Sequence, residues 1–319
     1  MDEFATIARL FAPLAVAPGA LGLTDDAAVL DPPPGRQLVV TKDVMAAGVH
    51  FLADDPADLV ARKLMRVNLS DLAAMGAQPW LYFLGLTLAR PVDQAWLEAF
   101  VAGLAADQAA FGITLVGGDT TAHDGPAVLS LTALGTVARG GALLRSSARD
   151  GDTLWVSGTL GDAALGLRVL RGELSGLDAT HRDELVARYR LPEPRLALGR
   201  GLVGLAHAAI DISDGLLADL GHVCTASNLG ARVHVDRLPL STAARSVGGA
   251  LDTALAGGDD YELLFTAAPA DAVRVQALGK ELGLALTSIG TMRVERGIEL
   301  LDAMGRPMAP PSRAGWTHF

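Results

Sequence analysis

Aspartates recur in this sequence beside glycines and apolar runs, at places where strands and turns are expected. Asp71 differs, because it lies inside a predicted helix, one turn after Asn68 and on the same face. Carboxylates at the strand ends of an open sheet tend to face one crevice, where they repel each other unless cations neutralise them. Oxygen ligands of this kind suit Mg²⁺, which is usually held by a few carboxylates and substrate phosphates. The pattern predicts a magnesium site, and the aspartates that follow it are Asp25, Asp26, Asp43, Asp119, Asp211, Asp214, Asp259 and Asp260.

Each aspartate taken singly also fits a turn or a helix N-cap, and only their repetition beside glycines favours a site. The sequence lacks the G-x-x-x-x-G-K-[ST] pattern, which excludes a P-loop enzyme. The glycine loop at 158–162 lies between a predicted strand and a predicted helix, a place suited to phosphate binding. A plain turn is the commoner use of such a loop, so both interpretations remain open.

Composition restricts the class of protein. The 319 residues allow two domains, and a net charge of −10 argues against a nucleic-acid partner. No apolar run reaches the roughly 18 residues of a membrane span, and the acidic start of the chain does not resemble a signal peptide. Cys224 is the single cysteine, which excludes internal disulfides and cysteine-rich zinc sites. We expect a cytoplasmic protein that binds neither nucleic acid nor membrane.

Strands and helices alternate in both halves of the sequence, which predicts an α/β (α+β) protein of two domains. Gly140–Gly141 is a plausible boundary, giving domains at 1–139 and 140–319. In the first domain the apolar pattern predicts helices at 4–16, 58–75 and 93–111, and strands at 37–41, 81–88, 113–116 and 128–137.

Several motifs occur in an order that resembles the thiamine-monophosphate kinase family over essentially the whole chain. They are DDAAVL at 25–30, GVHF at 48–51, VNLSDLAAMGA at 67–77, GGDTT at 117–121, RS at 145–146, DISDGL at 211–216, GGDDYEL at 257–263 and GWTHF at 315–319. The block at 67–77 is specific to that family. The block at 211–216 is shared with the wider superfamily of aminoimidazole ribonucleotide synthetase and selenophosphate synthetase.

The resemblance implies the two-domain fold of aminoimidazole ribonucleotide synthetase, with N-terminal domains that pair in a homodimer and bind ATP and Mg²⁺. It also implies transfer of the γ-phosphoryl group of ATP to thiamine phosphate, giving thiamine diphosphate. Clustered Mg²⁺ ions would offset the repulsion between the two anionic substrates, which is about 4 kcal/mol per unit-charge pair at 4 Å in an intermediate dielectric.

By motif position, the resemblance assigns three kinds of site residue. The catalytic core would be Asp43, Asp71 and Asp119. The Mg²⁺ ligands would be Asp26, Thr41, Asp43, Asp71, Asp119, Asp211 and Asp214. ATP would contact Gly118, Asp119, Arg145 and Ser213, and thiamine phosphate would contact His50, Glu262 and Trp316. The indole of Trp316 would stack on a ring of the substrate, although an aromatic residue so near the terminus can also simply anchor it.

This sequence departs from the family pattern at three places. The usual Gly-Ile-Gly is Gly22-Leu23-Thr24, and the usual Gly-Gly-Glu-Asp is Gly-Gly-Asp-Asp at 257–260. The usual Ser-Thr-Asp is Thr41-Lys42-Asp43. Because a protonated lysine cannot bind a metal, either one oxygen ligand is missing or Lys42 contacts phosphate instead.

Two alternative functions remain. The first is another ATP-using synthetase of the same superfamily, which the 67–77 block and the aromatic terminus argue against. The second is a non-catalytic nucleotide- or metal-binding regulator, which would have no reason to keep six aspartates together with a ligand-stacking terminus.

Overall fold

The chain divides into two units in the computed structural model, which describes residues 3–312, 315 and 316. Unit 1 comprises residues 1–72 and 77–140, and unit 2 comprises residues 73–76 and 141–319. The dimerisation and ATP-binding roles that the sequence analysis gives to the N-terminal domain stay predictions.

Unit 1 is built on a four-stranded sheet with the strand order β1-β4-β2-β3. β4 pairs antiparallel with both β1 and β2, whereas β2 and β3 are parallel and joined through helix α3. Its elements are α1 (Glu3–Thr6), β1 (Arg36–Ala46), α2 (Ala57–Ala74), β2 (Gln78–Ala89), α3 (Gln94–Phe111), β3 (Thr114–His123) and β4 (Val128–Ala138).

Helices α2 and α3 pack against the sheet and share the unit 1 core with its strands. The sequence of α3 defines both its ends and its close crossing with α2. Asp93 caps α3 by accepting hydrogen bonds from the Ala95 and Trp96 N–H groups, and Gly112 ends the helix in a left-handed conformation. A Cβ at Gly103 would lie 2.2 Å from the Asp58 carbonyl oxygen, so only glycine permits this close approach of the two helices.

The helix predicted at 4–16 is helical only as far as Leu14, and the type of helix changes along it. The segment forms one α-helical turn, a π-helical stretch (Ile7–Phe11) and a 3₁₀ turn (Ala12–Leu14) that contains Pro13. Proline lacks the N–H that a continuous helix needs, which explains the interruption. Beyond this turn Ala15 and Ala20 are buried against Leu81, Val116 and Leu134, so the segment covers part of one sheet face.

Strands β1 and β3 are longer than predicted, which changes the setting of two aspartates. Asp43 lies inside β1, which pairs with β4 along its whole length, and Asp119 lies inside β3 rather than in a turn after it. The glycines before Asp119 allow close strand pairing, because a Cβ at Gly118 would lie 2.1 Å from the Leu84 carbonyl oxygen. The position of Asp119 is therefore fixed by the sheet and not by a loop.

The described residues of unit 2 form a seven-stranded sheet with the order β11-β10-β7-β9-β5-β8-β6, in which only the β10–β7 pair is parallel. One buried cluster of aliphatic residues, including Val156, Ile210 and Leu220, forms its core. The strands are β5 (Thr153–Ser157), β6 (Ala208–Asp211), β7 (Gly230–His234), β8 (Leu263–Ala267), β9 (Leu286–Arg293), β10 (Gly297–Leu301) and β11 (Pro307–Met308). The helices are α4 (Asp162–Leu170), α5 (Ala179–Arg190), α6 (Leu196–Leu202), α7 (Leu216–Ser227), α8 (Thr242–Arg245), α9 (Ala250–Ala256) and α10 (Ala272–Leu282). Within the described residues, no helix combines the length and the apolar character required to cross a membrane.

Candidate active site

A pair of carboxylates joins strand β1 to helix α2 in unit 1. The Thr41 hydroxyl donates a hydrogen bond to Asp71, and the Asp43 backbone N–H donates one to Asn68 Oδ1 over 3.1 Å. Asn68 is itself oriented by donating to the Leu64 carbonyl oxygen over 2.9 Å. Burial and the charge of Asp71 raise the pKa of Asp43 to about 7. Two carboxylates held this close are unfavourable unless a proton or a cation neutralises them.

A cavity of about 650 Å³ opens on the sheet face that lies opposite α2. Its walls carry Asp25, Asp26, Asp119 and Lys42, and Gly117 and Gly118 expose backbone between them. The three aspartates are exposed to solvent. The predicted residues Asp26, Gly118 and Asp119 therefore line one cavity, whereas Thr41, Asp43 and Asp71 lie on the other face of the sheet, between β1 and α2.

In unit 2 the predicted residues Asp211, Ser213 and Asp214 follow one another where β6 leads into α7. Asp211 ends the strand and is buried. Asp219, in the first turn of α7, accepts hydrogen bonds of 3.1 Å from the backbone N–H groups of Ser213, Asp214 and Gly215. Asp219 thus fixes the conformation of the whole turn.

Asp219 was missed by the sequence analysis, although an acidic residue in the first turn of a helix is a recognisable signal. Burial and the charge of Asp214 raise its pKa to about 7, although the three backbone hydrogen bonds act in the opposite direction. Asp214, Asp219 and His222 each offer a ligand atom, and these atoms lie within 4.8 Å of one another. The turn therefore places the carboxylate of Asp219 and the imidazole of His222 close to the carboxylate of Asp214.

Glu262 is completely buried, and four hydrogen bonds hold its carboxylate. Arg195 donates from Nε (2.7 Å) and Nη2 (2.5 Å), Arg188 donates from Nη2 (2.7 Å), and the Ser157 hydroxyl donates over 2.5 Å. Burial alone would raise the pKa of Glu262, but the hydrogen bonds and charges of the two arginines hold it below its usual value. In this conformation the Glu262 carboxylate is inaccessible to a ligand. Its predicted contact with substrate therefore requires a rearrangement, or Glu262 affects the substrate indirectly by positioning the two arginines.

The glycine loop at 158–162 has most of its N–H groups engaged within unit 2. Gly158 donates to the Ala285 carbonyl oxygen and Leu160 to the Pro239 carbonyl oxygen, both over 2.9 Å. Gly161, which precedes α4, donates to Asp260 Oδ2 over 2.7 Å. The carboxyl group of Asp260 therefore occupies the place at which a phosphate would bind, as expected for a plain turn.

The remaining predicted residues lie as follows. Arg145 is exposed in a 3₁₀ turn, and its carbonyl oxygen accepts a hydrogen bond from Ser227. His50 is half-buried, and its Nδ1 accepts from the Ala46 N–H over 3.1 Å. The backbone N–H of Trp316 donates to the Asp214 carbonyl oxygen over 3.0 Å, and 54% of the residue is exposed. Residues 317–319 of the terminal motif lie outside the described residues.

The chain is similar to known proteins over nearly its whole length. Residues 24–137 match the family described as AIR synthase related protein, N-terminal domain, and residues 149–302 match its C-terminal domain. The thiamine-monophosphate kinase of Caulobacter vibrioides is 45% identical over 99% of this chain and 90% of its own. Together with the two mixed α/β units, these matches confirm the predicted fold class.

Two solved structures are similar as well. The crystal structure of thiamine-monophosphate kinase from Stenotrophomonas maltophilia K279a is 46% identical, with a TM-score of 0.86 over 94% of this chain and 96% of that one. The structure of AaThiL complexed with AMPPCP and TMP is 27% identical, with a TM-score of 0.79 over 99% of this chain and 94% of that one.

Proposed function

This chain belongs to the thiamine-monophosphate kinase family, and from that premise we propose that it transfers the γ-phosphoryl group of ATP to thiamine phosphate. The phosphate oxygen of the acceptor forms a bond to the γ-phosphorus, the bond to the β–γ bridging oxygen breaks, and ADP leaves. The product is thiamine diphosphate. The observation that carries the proposal is the similarity over the full length to kinases of this name, together with a structural relative complexed with AMPPCP and TMP.

The oxygen ligands in unit 1 fit a divalent cation. Burial and the charge of Asp71 raise the pKa of Asp43, and a bound Mg²⁺ would offset both effects. When bound, Mg²⁺ would supply charge neutralisation to the transferring phosphoryl group. The residues that we propose as Mg²⁺ ligands are Asp26, Thr41, Asp43, Asp71 and Asp119 in unit 1, and Asp211 and Asp214 in unit 2.

The protein's own contribution to the reaction is positioning and electrostatics. The acceptor phosphate is already ionised near neutral pH, so no strong general base is required. Asp43 and Asp119 would be held by two strands and Asp71 by a helix, and such rigid elements fix the positions of their charges. Gly118, Arg145 and Ser213 would contact ATP. We also infer a cytoplasmic location, which stays a prediction of the sequence.

A direct assay tests the proposed function. ADP release should depend on ATP and thiamine phosphate, require Mg²⁺, and remain at background with thiamine or with aminoimidazole precursors as acceptor. ADP release with an aminoimidazole precursor instead would favour another synthetase of the superfamily. Nucleotide binding without turnover of any of these acceptors would favour a regulator.

Trp316→Ala should raise the KM for thiamine phosphate by about tenfold and leave the KM for ATP nearly unchanged. The backbone of Trp316 is bonded to the Asp214 turn and the residue is 54% exposed, and stacking of an indole on a cationic thiazolium is worth roughly 0.5–2 kcal/mol. Steady-state kinetics and a melting curve on one preparation measure both constants and Tm. Trp316→Phe, which keeps an aromatic face, should recover most of the affinity. A lower Tm with both constants unchanged would show that Trp316 only anchors the terminus.

We also propose that the chain forms a homodimer through unit 1. The face of the edge strand β1 that carries Lys42 also exposes Leu38, Val40 and Val44 at 42%, 60% and 47%, and such apolar patches are typical of protein interfaces. Sedimentation velocity at micromolar concentration should show a dimer that Val40→Glu dissociates. Val273→Glu, on an exposed valine of α10 in unit 2, is the matched control and should leave the dimer intact. A fully active wild-type monomer would contradict the proposal.

A further inference from the structure

Lys42 is the single basic residue among the described residues that line the 650 Å³ cavity, which otherwise carries three aspartates. Its Nζ donates a hydrogen bond to Ser130 Oγ over 2.5 Å, and it forms no ion pair with any described residue. An ammonium group has three N–H donors, so two remain for a ligand. The sequence contains only two other lysines, Lys63 and Lys280.

The sheet register places Lys42 across the cavity from Asp119. Asp119 pairs with Gly85 and Gly85 pairs with Ser130, so these residues form one row across three strands. Neighbouring strands lie about 5 Å apart, which separates the backbones at Ser130 and Asp119 by roughly 10 Å. Because Gly85 has no side chain, the cavity is open between the two sides. This gap can admit a phosphate group between the lysine and the aspartate.

The charges of the cavity give its two sides different roles. Carboxylates repel a phosphate unless a cation bridges them, whereas an ammonium group attracts it and donates charge-assisted hydrogen bonds. Thr41 and Asp43, the neighbours of Lys42, alternate to the opposite face of β1, where Thr41 binds Asp71. Lys42 therefore lies apart from the carboxylate pair and is directed into the cavity.

We propose that Lys42 binds a phosphate oxygen of the nucleotide directly. Part of the nucleotide's negative charge is then neutralised by the ammonium group of the protein itself and not by a bound metal ion. The sequence left two alternatives at Lys42, a missing metal ligand or a phosphate contact, and this proposal is the second. The inference rests on the proposed function, because it assigns the cavity to the nucleotide.

Calorimetric binding of the ATP analogue AMPPCP to the full chain, at fixed Mg²⁺, tests the inference. Lys42→Met keeps the length of the side chain but removes its charge, and it should raise the Kd by about tenfold, as expected for loss of a charge-assisted hydrogen bond. It should also raise the Mg²⁺ concentration needed for half-maximal binding. Lys42→Arg should recover most of the affinity. Lys280→Met, at an exposed position near the end of α10, is the matched control and should bind like wild type.

An unchanged Kd for AMPPCP in folded Lys42→Met would overturn the inference. So would a Kd that rises for thiamine phosphate alone, because the lysine would then bind the acceptor. Melting curves verify folding, and Lys42→Gln provides a second neutral variant. A different result would contradict the proposed function itself: wild-type protein would release no ADP with ATP and thiamine phosphate. That result does not depend on the outcome of the binding experiment.

Discussion

Asp71→Asn should lower kcat by about 10²–10³-fold in a protein that remains folded, the effect expected when one preorganised charged group is removed from a site that works by electrostatics. The substitution keeps the shape of the side chain and an oxygen that can accept from the Thr41 hydroxyl. It removes the charge that we propose for Mg²⁺ binding. The measurements are ADP release at saturating substrates and the shift of Tm on addition of Mg²⁺, which should become smaller in the variant.

Asp93→Asn is the matched control for this prediction. Asp93 caps α3 in the same unit through two backbone N–H groups, and asparagine is an equally good N-cap. The control should keep both its turnover and its Mg²⁺ response. Near-normal turnover in folded Asp71→Asn would remove Asp71 from the proposed site.

The same variant should change how the metal-free protein responds to pH. The pKa of Asp43 rises from 3.8 to about 7 in the folded state, so between these values the folded protein holds a proton that the unfolded chain releases. The free energy of unfolding of the metal-free protein must therefore fall as pH rises through this window. Asp71→Asn removes one cause of the raised pKa, and the fall should be smaller. Denaturant titrations in EDTA at pH 5 and pH 8 measure the difference.

The sequence was most informative where local pattern and tertiary packing agree. Helix α2 and the location of Asn68 and Asp71 on one of its faces follow from the apolar periodicity and from the glycine after the helix. Proline explains why the predicted N-terminal helix is interrupted, and that signal was present at Pro13.

Pairing between strands overrode the local pattern elsewhere. The predicted strand ends at Val116, before Gly117 and Gly118, because glycine commonly ends strands. In the structure they allow β3 to approach β2 closely and to continue past Asp119. Propensity is a weak guide here, since the fit between neighbouring strands decides whether glycine is tolerated.

Contacts between distant segments could not be predicted from one sequence. Arg188 and Arg195 lie 74 and 67 residues before Glu262, and nothing in their local pattern indicates a common partner. The motif around Glu262 indicated a substrate contact. Its complete burial and its ion pairs emerge only when strands β5 and β8 and helices α5 and α6 are assembled.

Glu262→Gln should lower the free energy of unfolding by about 3–5 kcal/mol, because removing one partner leaves buried charges uncompensated. Arg188 and Arg195 would keep their positive charges beside a neutral amide, with side chains only 19% and 17% exposed. At roughly 2–4 °C per kcal/mol for 150–250 residues, the loss of Tm should be easy to measure. Glu299→Gln, which breaks the more exposed pairs with Arg232 and Arg293, is the matched control and should change Tm little.

The pH dependence and the kinetics of Glu262→Gln separate packing from substrate contact. The pKa of Glu262 is lowered in the folded state from 4.5, so its stabilising effect is complete above that value and is lost as pH falls below it. The difference in stability between wild type and variant should therefore be full at pH 7 and smaller below pH 4.5. A direct substrate ligand with no structural role would give the opposite result, an unchanged Tm and a raised KM for thiamine phosphate alone. A large loss of stability with a nearly unchanged KM would instead show that Glu262 holds α5 and α6 in position. Arg188 and Arg195, which are closer to solvent than Glu262, would then be the groups available to a substrate.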